Sequence, residues 1–128
     1  DSRRASLLVE AEEGLRASLN ENEFRQIIHN LISNSLKALV PDREGQIKLM
    51  AAAQEKEGLV TGRDNGKGMM EEEVSKALEP FYTKSINGTG LGLSIVSRLV
   101  ESNGGTMEIV SKPGVGTDVV LRFPGKMI

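Results

Sequence analysis

The sequence predicts an α+β fold: a two-layer α/β sandwich with helices on one face of a mixed, mostly antiparallel sheet. Three observations point there. Two amphipathic helical stretches each carry a wide apolar face. Two pairs of period-two segments are each joined by a short turn. The two kinds of element segregate along the chain instead of alternating as regular βαβ units.

Taken in order, SLLVEAEEGLRASLN holds two short strand-like pieces around Glu13-Gly14. Asn22 has the character of a helix N-cap. From Glu23 to Leu39 the pattern is helical, with Phe24, Ile27, Ile28, Leu31, Ile32 and Leu39 on one apolar face. Pro41 and Asp42 end it. GQIKLMAAA places Ile47, Leu49 and Ala51 at period two, and GLVTGRD is a second strand paired to it across the Gln54–Glu57 turn. Met70 to Leu78 forms a short helix, and Pro80 to Thr89 has no period and reads as a loop. Leu91 to Ser102 is helical, with Leu91, Ile95, Val96, Leu99 and Val100 facing inward, and Asn103-Gly104-Gly105 stops it. TMEIVSK and TDVVLRF close the chain as a hairpin across Pro113-Gly114-Val115-Gly116.

Composition narrows the function classes. With 128 residues the chain suits one domain, taken as residues 1–128. The net charge of −2 disfavours a general polyanion binder, and 3% aromatics leaves no stacking platform for nucleic acid. No cysteine excludes disulfides, thiolate nucleophiles and cysteine metal sites, and a single histidine excludes a multi-histidine zinc centre. No apolar run approaches the ~18 residues of a membrane span. The segment DSRRASLLVE lacks the layout of a signal peptide.

Three clusters carry chemistry. Asn30, Asn34 and Lys37 stand at i, i+4 and i+7 on one strip beside the apolar face. Mid-helix asparagine carries a propensity cost. Amide oxygens suit Mg²⁺, and Lys37 suits a phosphate, although a solvated face explains the strip equally well when it is taken alone. His29 lies one position off the strip and is assigned no role. The second cluster, Asp64-Asn65-Gly66-Lys67-Gly68-Met69, follows a strand in which Val60, Gly62 and Asp64 share a face. A carboxylate at the rim of the interior needs hydrogen bonds, and an adenine amino group is a suitable donor. Gly66 and Gly68 would let the backbone approach a flat ring. Alone, this hexapeptide reads first as an Asp-Asn-Gly turn. The third cluster is Gly88-Thr89-Gly90-Leu91-Gly92-Leu93, opening a helix. Amides at a helix N-terminus suit a phosphate chain, but the spacing is neither the dinucleotide fingerprint nor a Walker A.

With these clusters in this order, the chain resembles the catalytic, ATP-binding domain of sensor histidine kinases. That domain belongs to the Bergerat-type (GHKL) superfamily shared with gyrase B, heat-shock chaperones and mismatch-repair ATPases. HNLISNSLKAL resembles the N box, DNGKGM the G1 box, PFYTK the F box, and GTGLGLSIV the G2 box. GGTMEIVSKPGVGTDVVLRFP is similar to the family's closing hairpin. The resemblance covers essentially the whole chain and implies a Bergerat-type ATP-binding fold.

The resemblance also implies roles. Asn34 matches the ligand of the Mg²⁺ that bridges the ATP phosphates, and Asn30 the neighbouring asparagine that supports phosphates and metal. Lys37 matches a phosphate contact, and Lys84 in the F box is a further one. Asp64 matches the reader of the adenine amino group, with Gly66 and Gly68 shaping the adenine pocket. Gly88, Thr89, Gly90, Leu91 and Gly92 match the loop that meets the phosphates. Thr117 would reach the adenine site through water. Hydrolytic branches carry Glu where Asn30 stands, and an amide cannot accept a proton from water. The implied activity is therefore phosphoryl transfer from Mg-ATP to a histidine, in two-component signalling. His29 does not match the acceptor motif. The acceptor and its base are expected in a dimerising helical domain upstream, with a response-regulator receiver domain as the further partner. The implied whole is a homodimer acting in the cytoplasm, including as the cytoplasmic part of a membrane-bound sensor. This segment is expected to be a monomer that touches neither nucleic acid nor membrane. The loop from Phe81 to Asn87 is short for an ATP lid, similar to nitrogen-regulation-type sensor kinases. A GHKL-type serine kinase, an ATPase, and a nucleotide-silent module that docks a response regulator are the alternatives.

Overall fold

The computed structural model describes residues 5–11, 19–54, 56–78 and 92–124. It is an α+β sandwich. Strands β1 (Ala5–Ala11), β2 (Gly45–Gln54), β3 (Glu57–Asp64), β4 (Thr106–Lys112) and β5 (Gly116–Pro124) form one sheet in the order β1-β2-β3-β5-β4. β1 pairs with β2 in parallel, and the other three pairings are antiparallel. Helices α1 (Glu21–Ala38) and α3 (Gly92–Ser102) pack against each other and over one face of the sheet. The shorter α2 (Glu71–Ala77) lies toward β4.

The core follows from two periodicities. Ile27 and Leu31 of α1 and Leu93, Val96 and Val100 of α3 recur at helical spacing. They meet Val60 of β3 and Val119, Leu121 and Phe123 of β5, which alternate along their strands. Burying each such side chain contributes about 1.5–3 kcal/mol. The predicted inward set of α3 is borne out at Val96 and Val100, while Ile95 and Leu99 are only half-buried and Leu93, not foreseen, is in the core.

The start of α1 is two residues earlier than the sequence pattern suggests. The N-cap is Asn20, whose Oδ1 accepts the Glu23 N–H at 2.9 Å. Asn22 is inside the first turn. The choice has a tertiary cause: the Asn20 N–H also donates to Oδ1 of Asn103, at the end of α3. The α1 helix ends at Ala38 with an extended Leu39, ahead of Pro41.

The end of α3 is as predicted. Gly104 adopts φ +80°, its N–H donates to Glu101 O at 2.9 Å, and the Gly105 N–H donates to Val100 O at 2.9 Å. These are the two bonds of a Schellman motif. The β2–β3 and β4–β5 hairpins are also as expected, with Gln54 opposite Glu57 and Lys112 opposite Gly116. The helix expected at Met70–Leu78 is present as α2, but it has no buried residue, and Met70 and Leu78 are exposed. Of the two strand-like pieces near the N-terminus, the first is β1; the segment after Ala11 lies outside the described residues, as does the loop from Pro80 to Thr89.

Candidate functional site

The strip on α1 has the property that sets ligand-binding amides apart from a solvated face. Nδ2 of Asn30 and Nδ2 of Asn34 are both buried, and neither has a hydrogen-bond partner among the described residues. Leaving one such donor unpaired costs about 1–3 kcal/mol, so two on adjacent turns call for an external acceptor. Lys37, a turn further on, is exposed and in the last turn of the helix. His29 points outward.

Asp64 ends β3 on the face turned toward α1, 8% exposed. Its Oδ1 accepts the Gly66 N–H at 2.8 Å, and the carboxylate also accepts the Ser35 hydroxyl and the Thr117 N–H. Burial nonetheless dominates and raises its pKa above the ordinary carboxylate value, with the nearby charge of Asp118 adding to the rise. A buried carboxylate with three donors still has acceptor capacity left. Ser35 links the two halves of the site, because it is the α1 neighbour of Asn34 and touches Asp64. Motif reasoning passes over it, yet the sequence holds a signal: Ile27, Leu31 and Ser35 form one buried row at spacing four, and the third member is polar.

The turn after Asp64 is held on three sides. Lys67 N–H donates to Ala38 O at 2.8 Å, capping the end of α1, and Arg43 Nη2 donates to Gly66 O at 2.8 Å. Gly114 N–H donates to Lys67 O at 2.7 Å, and Met69 N–H to Ser111 Oγ at 2.8 Å. A Cβ on Gly66 would stand 2.3 Å from Ala38 O, and one on Gly68, which adopts φ +69°, would stand 2.0 Å from Lys112 O. Both glycines are thus required by close packing of backbone on backbone. Asn65 serves as an extra rung beside β2: its Oδ1 accepts Gln46 N–H at 2.8 Å and its Nδ2 donates to Glu44 O at 3.0 Å.

Thr117 is buried, directly opposite Asp64 in the β3–β5 register. The structure therefore brings Asn30, Asn34, Asp64, Gly66, Gly68 and Thr117 onto the helix side of one sheet end. Gly92 is the first residue of α3. Lys84, Gly88, Thr89, Gly90 and Leu91 lie outside the described residues. At the far end of this helix pair, Asn103 Nδ2 donates to Glu23 Oε1 at 3.1 Å and to Leu99 O at 2.8 Å.

A cavity of about 910 Å³ also opens at this end of the sheet, lined by Leu8, Lys48, Arg63, Val110 and Asp118 among others. Those five form one cross-strand row on the face turned away from the helices. Arg63 meets Asp118 there through two bonds of 2.9 Å. Asn30, Asn34 and Lys37 have no part in its lining.

The sequence and the fold are similar to those of known proteins. Residues 19–127 match the family described as histidine kinase-, DNA gyrase B-, and HSP90-like ATPase. Sporulation kinase B of Bacillus subtilis is 32% identical over 119 residues, 93% of this chain and 28% of that protein. The chain therefore spans little more than a quarter of the length of that curated relative. The catalytic domain of histidine kinase ThkA superposes with a TM-score of 0.82 at 26% identity, covering 94% of this chain and 80% of that one. Full-length ShkA, solved in complex with AMPPNP, superposes with a TM-score of 0.81 at 25% identity, over 97% of this chain and 26% of that one. Because the match runs from residue 19 to residue 127, well over half of the chain, the chain belongs to the histidine kinase-, DNA gyrase B- and HSP90-like ATPase family.

Proposed function

We propose that this chain is the catalytic, ATP-binding part of an ATP:protein-histidine phosphotransferase. It would bind Mg-ATP and donate the γ-phosphoryl group to a histidine on a dimerisation/phosphoacceptor domain of the same protein. From that histidine the group passes to a response-regulator receiver domain. The observation that carries the reading is the pair of unpartnered buried amides at Asn30 and Asn34. An amide can offer N–H to a phosphate oxygen and its oxygen to a hard cation. The residues present thus fit a metal-bound triphosphate, with Asn34 the metal ligand and Asn30 its support. Bound Mg²⁺ supplies charge neutralisation along the phosphates.

The chain's own residues do the rest. Lys37 adds a point charge on the same strip. Asp64 accepts from the purine amino group, held in place by Ser35, Gly66 and Thr117. Gly88, Thr89, Gly90, Leu91 and Gly92 offer amides to the phosphates, and Lys84 adds a cation; we keep these roles from the resemblance. Asn30 is an amide, so this position cannot deprotonate water, which favours transfer over hydrolysis. Supporting the partner assignment, the relatives that match are named kinases several times the length of this chain. No helix among the described residues is long and apolar enough to cross a membrane. We place the ATP chemistry in the cytoplasm.

Two measurements test this. Calorimetry should show Mg-ATP binding that loses its metal-dependent part in Asn34→Ala; equal affinity in both proteins refutes the metal assignment. Adding a histidine-bearing helical-hairpin domain and following label from γ-³²P-labelled ATP should give a phosphohistidine. Phosphoserine, or release of phosphate alone, would point to the serine-kinase or ATPase branch instead.

A further inference from the structure

Ser111 has no part in the reading above, yet its hydroxyl is placed to decide what Thr117 can recognise. Ser111 sits on β4 opposite Thr117 on β5, so both side chains are on the helix side of the sheet. Its Oγ has three polar neighbours: the Met69 N–H at 2.8 Å, the Gly116 carbonyl at 3.1 Å and the Thr117 hydroxyl at 2.7 Å.

A serine hydroxyl has one hydrogen and two acceptor positions. Met69 fills one acceptor position. Suppose Ser111 donated to Thr117. The Gly116 carbonyl would then face a serine lone pair with no hydrogen between them, and the second acceptor position of Ser111 would be idle. If Ser111 instead donates to Gly116, Thr117 donates to Ser111, and all three capacities of Ser111 are used. The second arrangement is the lower in energy. It points the only hydrogen of the Thr117 hydroxyl at Ser111, so toward a ligand that oxygen can only accept.

Beside it stands the Asp64 carboxylate, also an acceptor, which takes the Thr117 N–H. We propose that Ser111 is a positioning residue that fixes the polarity of the Thr117 hydroxyl. The resulting acceptor-only wall favours a purine with an amino group at C6 over one with a carbonyl there. An adenine edge presents N6–H donors at that position, whereas a 6-oxopurine presents an acceptor. The C6 carbonyl of a 6-oxopurine would meet two acceptors and no hydrogen. This inference rests on the nucleotide reading above.

Affinities for ATP and ITP, measured by calorimetry, test it. The parent should prefer ATP. Ser111→Ala frees the Thr117 hydrogen to turn toward the purine, and the ATP-over-ITP preference should fall about tenfold. Ser111→Thr keeps a hydroxyl and should keep the preference. A purely structural role for Ser111 would weaken both nucleotides by one factor and leave their ratio unchanged, which overturns the inference. Should Ser111→Ala fail to fold, Thr117→Val decides: removing the acceptor must narrow the preference, and an unchanged ratio overturns the inference. A parent chain that binds neither nucleotide overturns the nucleotide reading and this inference with it. A parent that binds ATP, with selectivity untouched in Ser111→Ala, overturns this inference alone.

Discussion

Three glycines around the site separate the two reasons a chain uses glycine, and alanine at each gives a graded prediction. Gly114 adopts φ +79°, and a methyl group added there would meet nothing within 4 Å, so Gly114→Ala carries only the left-handed backbone penalty, about 1–2 kcal/mol. Gly66 has no positive φ, but its Cβ would stand 2.3 Å from Ala38 O, about 1 Å inside ordinary contact. The obstacle is helix backbone, so Gly66→Ala should cost about 1–3 kcal/mol by overpacking. Gly68 combines φ +69° with a Cβ 2.0 Å from Lys112 O. Its variant should cost roughly the sum, about 2–5 kcal/mol, a large share of a typical domain stability. Urea denaturation reads these as shifts in midpoint at constant slope. Nucleotide affinity should fall in Gly66→Ala and Gly68→Ala, where the Asp64 turn must move, and stay unchanged in Gly114→Ala. A Gly66→Ala protein as stable as the parent, or a Gly114→Ala protein as weak as Gly68→Ala, would refute the packing argument.

Two further outcomes are expected. Asn20→Ala removes the N-cap of α1 and should cost about 1 kcal/mol in denaturation, whereas Asn22→Ala should be near neutral; the reverse order would contradict the cap assignment. Asp64 has a raised folded-state pKa caused chiefly by burial, so as pH rises the unfolded chain ionises first. The nucleotide-free fold should therefore lose stability between the ordinary carboxylate pKa and the raised one, and level off above it. Asp64→Asn lacks this decline, and a parent-minus-variant difference that is flat or rises across that window would refute it.

Much of the fold is legible because its periodicities are strong. The alternation in β2, β3 and β5 and the helical spacing of Ile27, Leu31, Val96 and Val100 name their faces directly. Contacts distant in sequence are less visible. Asn20 has Glu23 three residues on where Asn22 has Arg25, and the contact with Asn103 also falls on the first. Within DNGKGM, the glycines suggest room for a ligand ring, while the structure shows them pressed against α1 and the closing hairpin. Asn65 has the character of a turn residue, but its amide completes the start of β2, a partner some twenty residues away. At the site, Asn30 and Asn34 announce themselves through their cost in a helix. Ser35 shows only as the polar third member of the Ile27–Leu31 row, and Ser111 does not show at all, since a lone serine carries no signal until its neighbours across the sheet are known.

The link through Asn103 has a mechanical consequence. It rivets the first turn of α1 to the last turn of α3, one helix length away from Gly92. The lever from rivet to Gly92 is the 11-residue length of α3, about 16 Å at 1.5 Å per residue. Each degree of rotation at the joint then displaces Gly92 by about 0.3 Å for a lever of that length. Leu93, Val96 and Val100 share one packed core with Ile27 and Leu31 and resist such a rotation, so the tie at Asn103 stiffens the pair at the end remote from Asp64.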